Sequence, residues 1–146
     1  MGCVAVYQVS AIENGAQLKP VLEFCYDILG QKYREYENYT YGAWQGRIGE
    51  YSPALLYAHV DGEIIAAVLG RPEDDGMVMG FVACHKDYRR QGVTSTLVKQ
   101  FETNSKALGF KRITLGAGKD AQGFYDKCGY CVIHETDEQR VYRKIL

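Results

Sequence analysis

Three features of the chain point to an α+β fold around a mostly antiparallel sheet. Apolar runs at residues 54–60, 63–69 and 77–84 follow one another with only short turns between them, which is the pattern of a meander. Residues 16–29 and 92–108 instead place their apolar side chains at helical spacing. At 146 residues, 47% of them hydrophobic, the chain suffices for one domain, residues 1–146, with a real core.

The elements are read in order. Residues 4–9 form a first strand. Leu18, Val21, Leu22, Cys25 and Leu29 mark one face of a first helix, which Gly30 stops. Residues 33–51 are rich in aromatics (Tyr33, Tyr36, Tyr39, Tyr41, Trp44) and in glycine, and read as a short helix among loops. Asp61-Gly62 joins the next two strands, because a tight hairpin turn needs positive φ at both central positions. Residues 71–76, with Pro72 and three acids, read as a second turn before the strand at 77–84. In the second long helix Val93, Leu97, Val98, Phe101 and Leu108 form the apolar side, and Gly109 is suited to its end. A strand at 111–115, a short helix at 120–128 ended by Gly129, and closing strands at 130–134 and 140–145 complete the domain. Residues 136–138 turn between the last two.

Bulk properties exclude several classes. A net charge of -1 and the acids Glu73, Asp74 and Asp75 argue against a nucleic-acid partner. No apolar run approaches the roughly 18 residues that span a bilayer. The first residues lack the basic and apolar regions of a secretion signal, and Val6 stands where a myristoylation signal wants Ser or Thr, so a cytoplasmic protein is expected. Cys3, Cys25, Cys84, Cys128 and Cys131 match no zinc or disulfide framework; Cys128 and Cys131 form a lone C-x-x-C without further ligands. No metal is expected, and free thiols suit a reducing compartment.

The chemistry concentrates in the turn His85-Lys86-Asp87-Tyr88-Arg89-Arg90-Gln91-Gly92-Val93-Thr94 between a strand and a helix. A helix starting near Gly92 leaves its first N–H groups without internal partners, and its dipole adds about half a positive charge there. Those groups favour an anion, phosphate above all. Gly92 lets a bulky diphosphate approach the backbone. Arg89 and Arg90 add charge, and Thr94 and Ser95 add hydroxyls. A plain structural turn would need the glycine but not the arginines. Neither a P-loop nor a dinucleotide fingerprint is present.

Arg89-Arg90-Gln91-Gly92-Val93-Thr94 resembles the acyl-CoA signature of the GNAT superfamily of N-acetyltransferases, Gln/Arg-x-x-Gly-x-Gly/Ala. The residues before it, Val82, Ala83, Cys84 and on to Tyr88, resemble that family's strand and entry turn. Ala121-Gln122-Gly123-Phe124-Tyr125-Asp126-Lys127-Cys128-Gly129-Tyr130 resembles its second motif, Ala-x-x-Phe-Tyr-x-x-x-Gly-Phe/Tyr. Thr94 departs from the usual small residue, and Gly118 stands where the family often has Asn.

The resemblance implies a mixed sheet of about six to seven strands with about four helices, splayed between its fourth and fifth strands. It implies acetyl-CoA as donor, with its arm along Val82, Ala83 and Cys84, its pyrophosphate on the N–H groups of Arg90, Gln91, Gly92, Val93, Thr94 and Ser95, and its thioester near Phe124 and Tyr125. The amine of a small molecule or peptide would attack directly in a ternary complex. Tyr125 resembles the family's general acid. The strand at 77–84 carries no carboxylate, so a base is sought elsewhere: a relayed water is preferred over His85, Glu35 or Glu37. The aromatic segment 33–44 would border the acceptor pocket. The alternative is a non-catalytic acyl-CoA-binding sensor. The closing strands are available to pair across a homodimer.

Overall fold

The computed structural model describes residues 6–146. The residues form a seven-stranded sheet in the order β1-β2-β3-β4-β5-β7-β6. Its strands are β1 (Gln8–Ala11), β2 (Leu55–Val60), β3 (Glu63–Glu73), β4 (Gly76–Cys84), β5 (Arg112–Gly118), β6 (Cys131–Glu135) and β7 (Gln139–Ile145). Neighbours are antiparallel except β4 and β5.

Helices cover both faces. On one side α1 (Gly15–Leu29) and α2 (Tyr41–Gln45) pack over Leu55, Ala67, Leu69 and Phe81. The N-cap Asn14 accepts a bond from the Gln17 N–H of α1, and Leu18, Val21, Leu22, Cys25 and Tyr26 form its buried face. On the other side α3 (Val93–Ala107) and α4 (Gln122–Lys127) pack over Val68, Met77, Ile113 and Tyr142. The buried face of α3 is Val93, Leu97, Val98, Phe101 and Ser105; Leu108, expected on that face, lies just past the helix and is half-buried.

The meander, both long helices, the aromatic segment's short helix and the closing pair all match the expected order. The Val60↔Glu63 hairpin has φ of 49° at Asp61 and 82° at Gly62, as its tight turn requires. Two boundaries need correction. The first strand was expected at residues 4–9. It runs from Gln8 to Ala11, because pairing with Leu56–His59 of β2 sets its register; residues 4 and 5 lie outside the described residues. β3 does not stop at Leu69 but runs through Pro72 to Glu73, leaving only Asp74 and Asp75 as the turn. β2 pairs β3 no further than Leu69, so the last part of β3 has a free edge, where a residue without an N–H costs no ladder bond.

Two irregularities shape the centre of the sheet. β4 and β5 pair only at Gly76↔Arg112, Met77↔Ile113 and Val78↔Thr114, and then splay. Opposite Leu69 and Gly70, β4 holds an extra residue, Gly80, in a β-bulge, since Leu69 pairs Phe81 and Gly70 pairs Met79. No described helix is long and apolar enough to cross a membrane.

Candidate active site

Two cavities meet the opened stretch of β4. The first, of about 600 Å³, lies at its C-terminal end between α1, α3 and α4. Its wall includes Val82, Ala83 and Cys84 of β4, then Arg89, Arg90, Gly92, Val93, Thr94 and Ser95, and across from them Phe124 and Tyr125. Every residue expected to bind the donor except Gln91 therefore faces one space. Gln91 turns back instead, donating from its side-chain amide to the Asp87 carbonyl at 3.0 Å. Tyr88 and Ala121, from the two motifs, also line the space, as do Ile28, Leu29 and Asp120, which carry no such signal in the sequence.

The start of α3 is built differently from the start of α1. Asn14 caps α1 with its side chain, whereas α3 begins on Gly92 in the left-handed conformation, with no side-chain cap and no acid in the first turn. Arg90 is also left-handed, at φ 62°. A Cβ added to Gly92 would meet nothing within 4 Å, so the approach to the first-turn N–H groups is open. This donor set fits a diphosphate. Arg89 bends toward the strand, its Nε donating to the Cys84 carbonyl at 3.4 Å.

Tyr125 is 5% exposed and packs edge-on to Phe124 and Tyr130. Burial, with a smaller contribution from Cys128, pushes its phenol pKa well above the usual tyrosine range. It is therefore a neutral O–H donor at physiological pH. No protein hydrogen bond engages that hydroxyl among the described residues.

The second cavity, of about 360 Å³, opens on the α1 side over the splayed strands. Tyr33 and Tyr39 of the aromatic segment wall it, as expected of that segment, together with Gly80, Arg71, Glu73 and Gln139. The candidate bases fall elsewhere. Glu35 and Glu37 are exposed and line neither cavity. His85 accepts a bond from the Asp87 N–H at 3.1 Å and also lines neither. Glu73 is the acid that lines the second cavity; its place in an apparent loop hid it from sequence reasoning.

The family model described as acetyltransferase (GNAT) family matches residues 21–130, so the chain belongs to that family. It is an acetyltransferase with acetyl-CoA as donor. The fold is shared with the PaiA N-acetyltransferase of Thermoplasma acidophilum in complex with coenzyme A, at TM-score 0.76 and 15% identity over 97% of this chain and 100% of that one. An acetyltransferase of the GNAT family from Staphylococcus aureus gives TM-score 0.76 at 15% identity over 97% and 99%. The ribosomal-protein alanine N-acetyltransferase of Escherichia coli gives 0.70 at 15% over 96% and 94%. No curated protein matches the chain by sequence.

Proposed function

We propose that the protein transfers acetyl from acetyl-CoA directly to a primary amine, with both substrates bound at once. The observation that carries this reading is that two cavities border successive parts of β4 where it splays from β5. One ends on uncapped helix N–H groups, and the other is walled by aromatic and charged side chains.

Acetyl-CoA supplies an activated acyl carbon. The chain's own groups do the rest. The N–H groups from Gly92 to Ser95 hold the diphosphate, with the Arg90 charge beside them. The exposed edge of Val82 and Cys84 is free to pair with the amide-bearing arm, because β5 has left it. At the bulge the backbone of β4 departs from the regular ladder, and a backbone N–H of β4 near Val82 is the group suited to stabilise negative charge on the acetyl oxygen. Tyr125 donates a hydrogen bond to the departing sulfur. An alkyl ammonium, with pKa near about 10, must lose a proton before it attacks. Water in the second cavity relays it toward solvent past the Glu73 carboxylate that lines that cavity, since β4 presents no carboxylate there.

The test combines calorimetry with acetyl-CoA and mass spectrometry of products from an amine panel. A saturable heat together with an acetyl-CoA-dependent gain of one acetyl group on an amine is expected. Binding without turnover on any amine would leave the sensor reading in its place.

A further inference from the structure

The second cavity is asymmetric in charge. Arg71 lines it, with its side chain 19% exposed. Its Nη1 donates to Glu73 at 3.0 Å and its Nε to the Tyr39 hydroxyl at 3.5 Å. Arg47 stands behind, its guanidinium 4.5 Å from the centre of the Trp44 ring. Its Nη1 is buried and has no hydrogen-bond partner among the described residues. Burial, and then the facing charge of Arg71, make Arg47 hold its proton less tightly than a free arginine. Among the described residues no ion pair reaches Arg47; the Tyr39 phenol is the other group that acts on it. Both guanidiniums thus lie by Tyr39, and Glu73 pairs with Arg71 alone.

A buried guanidinium N–H without an acceptor is costly, and so is a pair of like charges in a desolvated place. Glu73 does not resolve the excess. Its side chain is 57% exposed, where ion pairs are weak and exchange with solvent. Tyr33 and Tyr39 wall the site, and Trp44 and Phe81 pack behind them ring against ring. What is missing is a second anion, delivered into the cavity and planar or tetrahedral enough to accept from an arginine fork.

We propose that the acceptor is a small primary amine that also carries a carboxylate or phosphate, and that Arg71, backed by Arg47, holds that anion while the nitrogen faces β4. This rests on the transferase reading above and names its substrate class. Arg71 and Arg47 are specificity-determining residues; neither takes part in the transfer itself.

Trp44 is the single tryptophan of the chain and carries Arg47 on its ring, so its emission reports on the site. The titration uses acetate and inorganic phosphate at constant ionic strength, with coenzyme A present to fill the first cavity. A saturable shift in Trp44 emission is expected in the wild type. It is expected to weaken about tenfold or more in Arg71→Met and to persist in part in Arg71→Lys. In turnover, alanine is expected to exceed alaninamide, or O-phosphoethanolamine to exceed ethanolamine, by about tenfold in kcat/KM, and Arg71→Met to erase the difference. Which pair shows the gap separates carboxylate from phosphate. The proposal is overturned by a Trp44 signal that ignores both anions, by a shift that survives Arg71→Met, or by uncharged amines reacting as well as their acidic partners. Failure of coenzyme A to bind would instead remove the transferase reading, and the Arg71-dependent titration would still judge the anion site.

Discussion

The Tyr125 phenol packs against Phe124, Tyr130 and Tyr142, and desolvation keeps it protonated. A phenol with a raised pKa is a weaker acid than a thiol, whose ordinary value is about 8.5. Full proton transfer to the departing sulfur is therefore uphill, and the useful contribution is a hydrogen bond to the developing thiolate. Tyr125→Phe keeps the ring packing and removes only that bond. We expect kcat to fall about ten- to a hundredfold, the worth of one hydrogen bond to a charged group, while the Kd for acetyl-CoA moves less than about threefold. Steady-state kinetics paired with calorimetry measures both, and an unchanged kcat would return Tyr125 to a packing role. Tyrosine ionisation should leave no limb in the kcat profile below about pH 10, because burial raises this group. Gly92 gives the matching test at the other end of the donor. Its φ is 81° and the space at its missing Cβ is open, so Gly92→Ala costs the free protein only about 1–2 kcal/mol of left-handed strain. The new methyl nevertheless stands where the diphosphate approaches. Calorimetry is expected to show acetyl-CoA affinity reduced about tenfold or more, beyond what the modest loss of Tm explains.

Among the elements, β4 decides where chemistry occurs, and only part of its role is legible in the sequence. The apolar run, the arginine turn and the helix after it are plain, because each has a local cause: alternation, an uncapped helix start, an amphipathic period. Phe124 and Tyr125 are legible through their motif. The bulge is not, because an extra residue is defined by the partner strand: Gly80 stands out only once Leu69 is seen to pair Phe81 and Gly70 to pair Met79. Nor is Arg71. With Pro72 and three acids beside it, it reads as a turn residue, and only its pairing with Val78 of β4 shows that β3 continues and carries it to the cavity. The aromatic segment was legible as a wall but not in detail, since Tyr33 and Tyr39 reach the site while Glu35 and Glu37 stay outside. Gly80 links the bulge to that wall. A Cβ there would stand 2.9 Å from Cε1 of Tyr39 and 3.4 Å from the Trp44 ring. Gly80→Ala therefore displaces Tyr39, which lines the acceptor cavity, and leaves the helix start of α3 untouched. A rise in the acceptor KM of about fivefold or more with an unchanged Kd for acetyl-CoA is the expected signature. Equal losses in both would mean that the bulge supports the sheet as a whole.

On the scale of the whole molecule, the sheet separates two cores, and the one on the α1 side holds Cys25 fully buried among Leu18, Leu22, Trp44 and Phe81. Burial alone pushes its thiol pKa far above the ordinary value. In the unfolded chain the same thiol ionises at about pH 8.5. The sign follows: stability from this group is fully present below about pH 8.5 and is lost as pH rises beyond it, because only the unfolded state can release the proton. The loss reaches about 1.4 kcal/mol for each further pH unit. Tyr125 and Tyr130 are raised as well, but their unfolded phenols ionise only near about pH 10, so their contribution comes later. Tyr130 is further held by its bond to Glu102 at 2.8 Å, which also receives Lys144 and so ties the end of α4 to α3 and β7. The interval between about pH 8.5 and 10 thus separates the buried thiols from the phenols. Cys128 is raised too, by burial first, but less completely. Cys25→Ala should lower Tm at pH 7 through the cavity it leaves, yet flatten the decline of Tm across that interval. Thermal melts of both proteins at several pH values measure the two slopes, and parallel declines would mean that some other ionisation governs the alkaline limit of the fold.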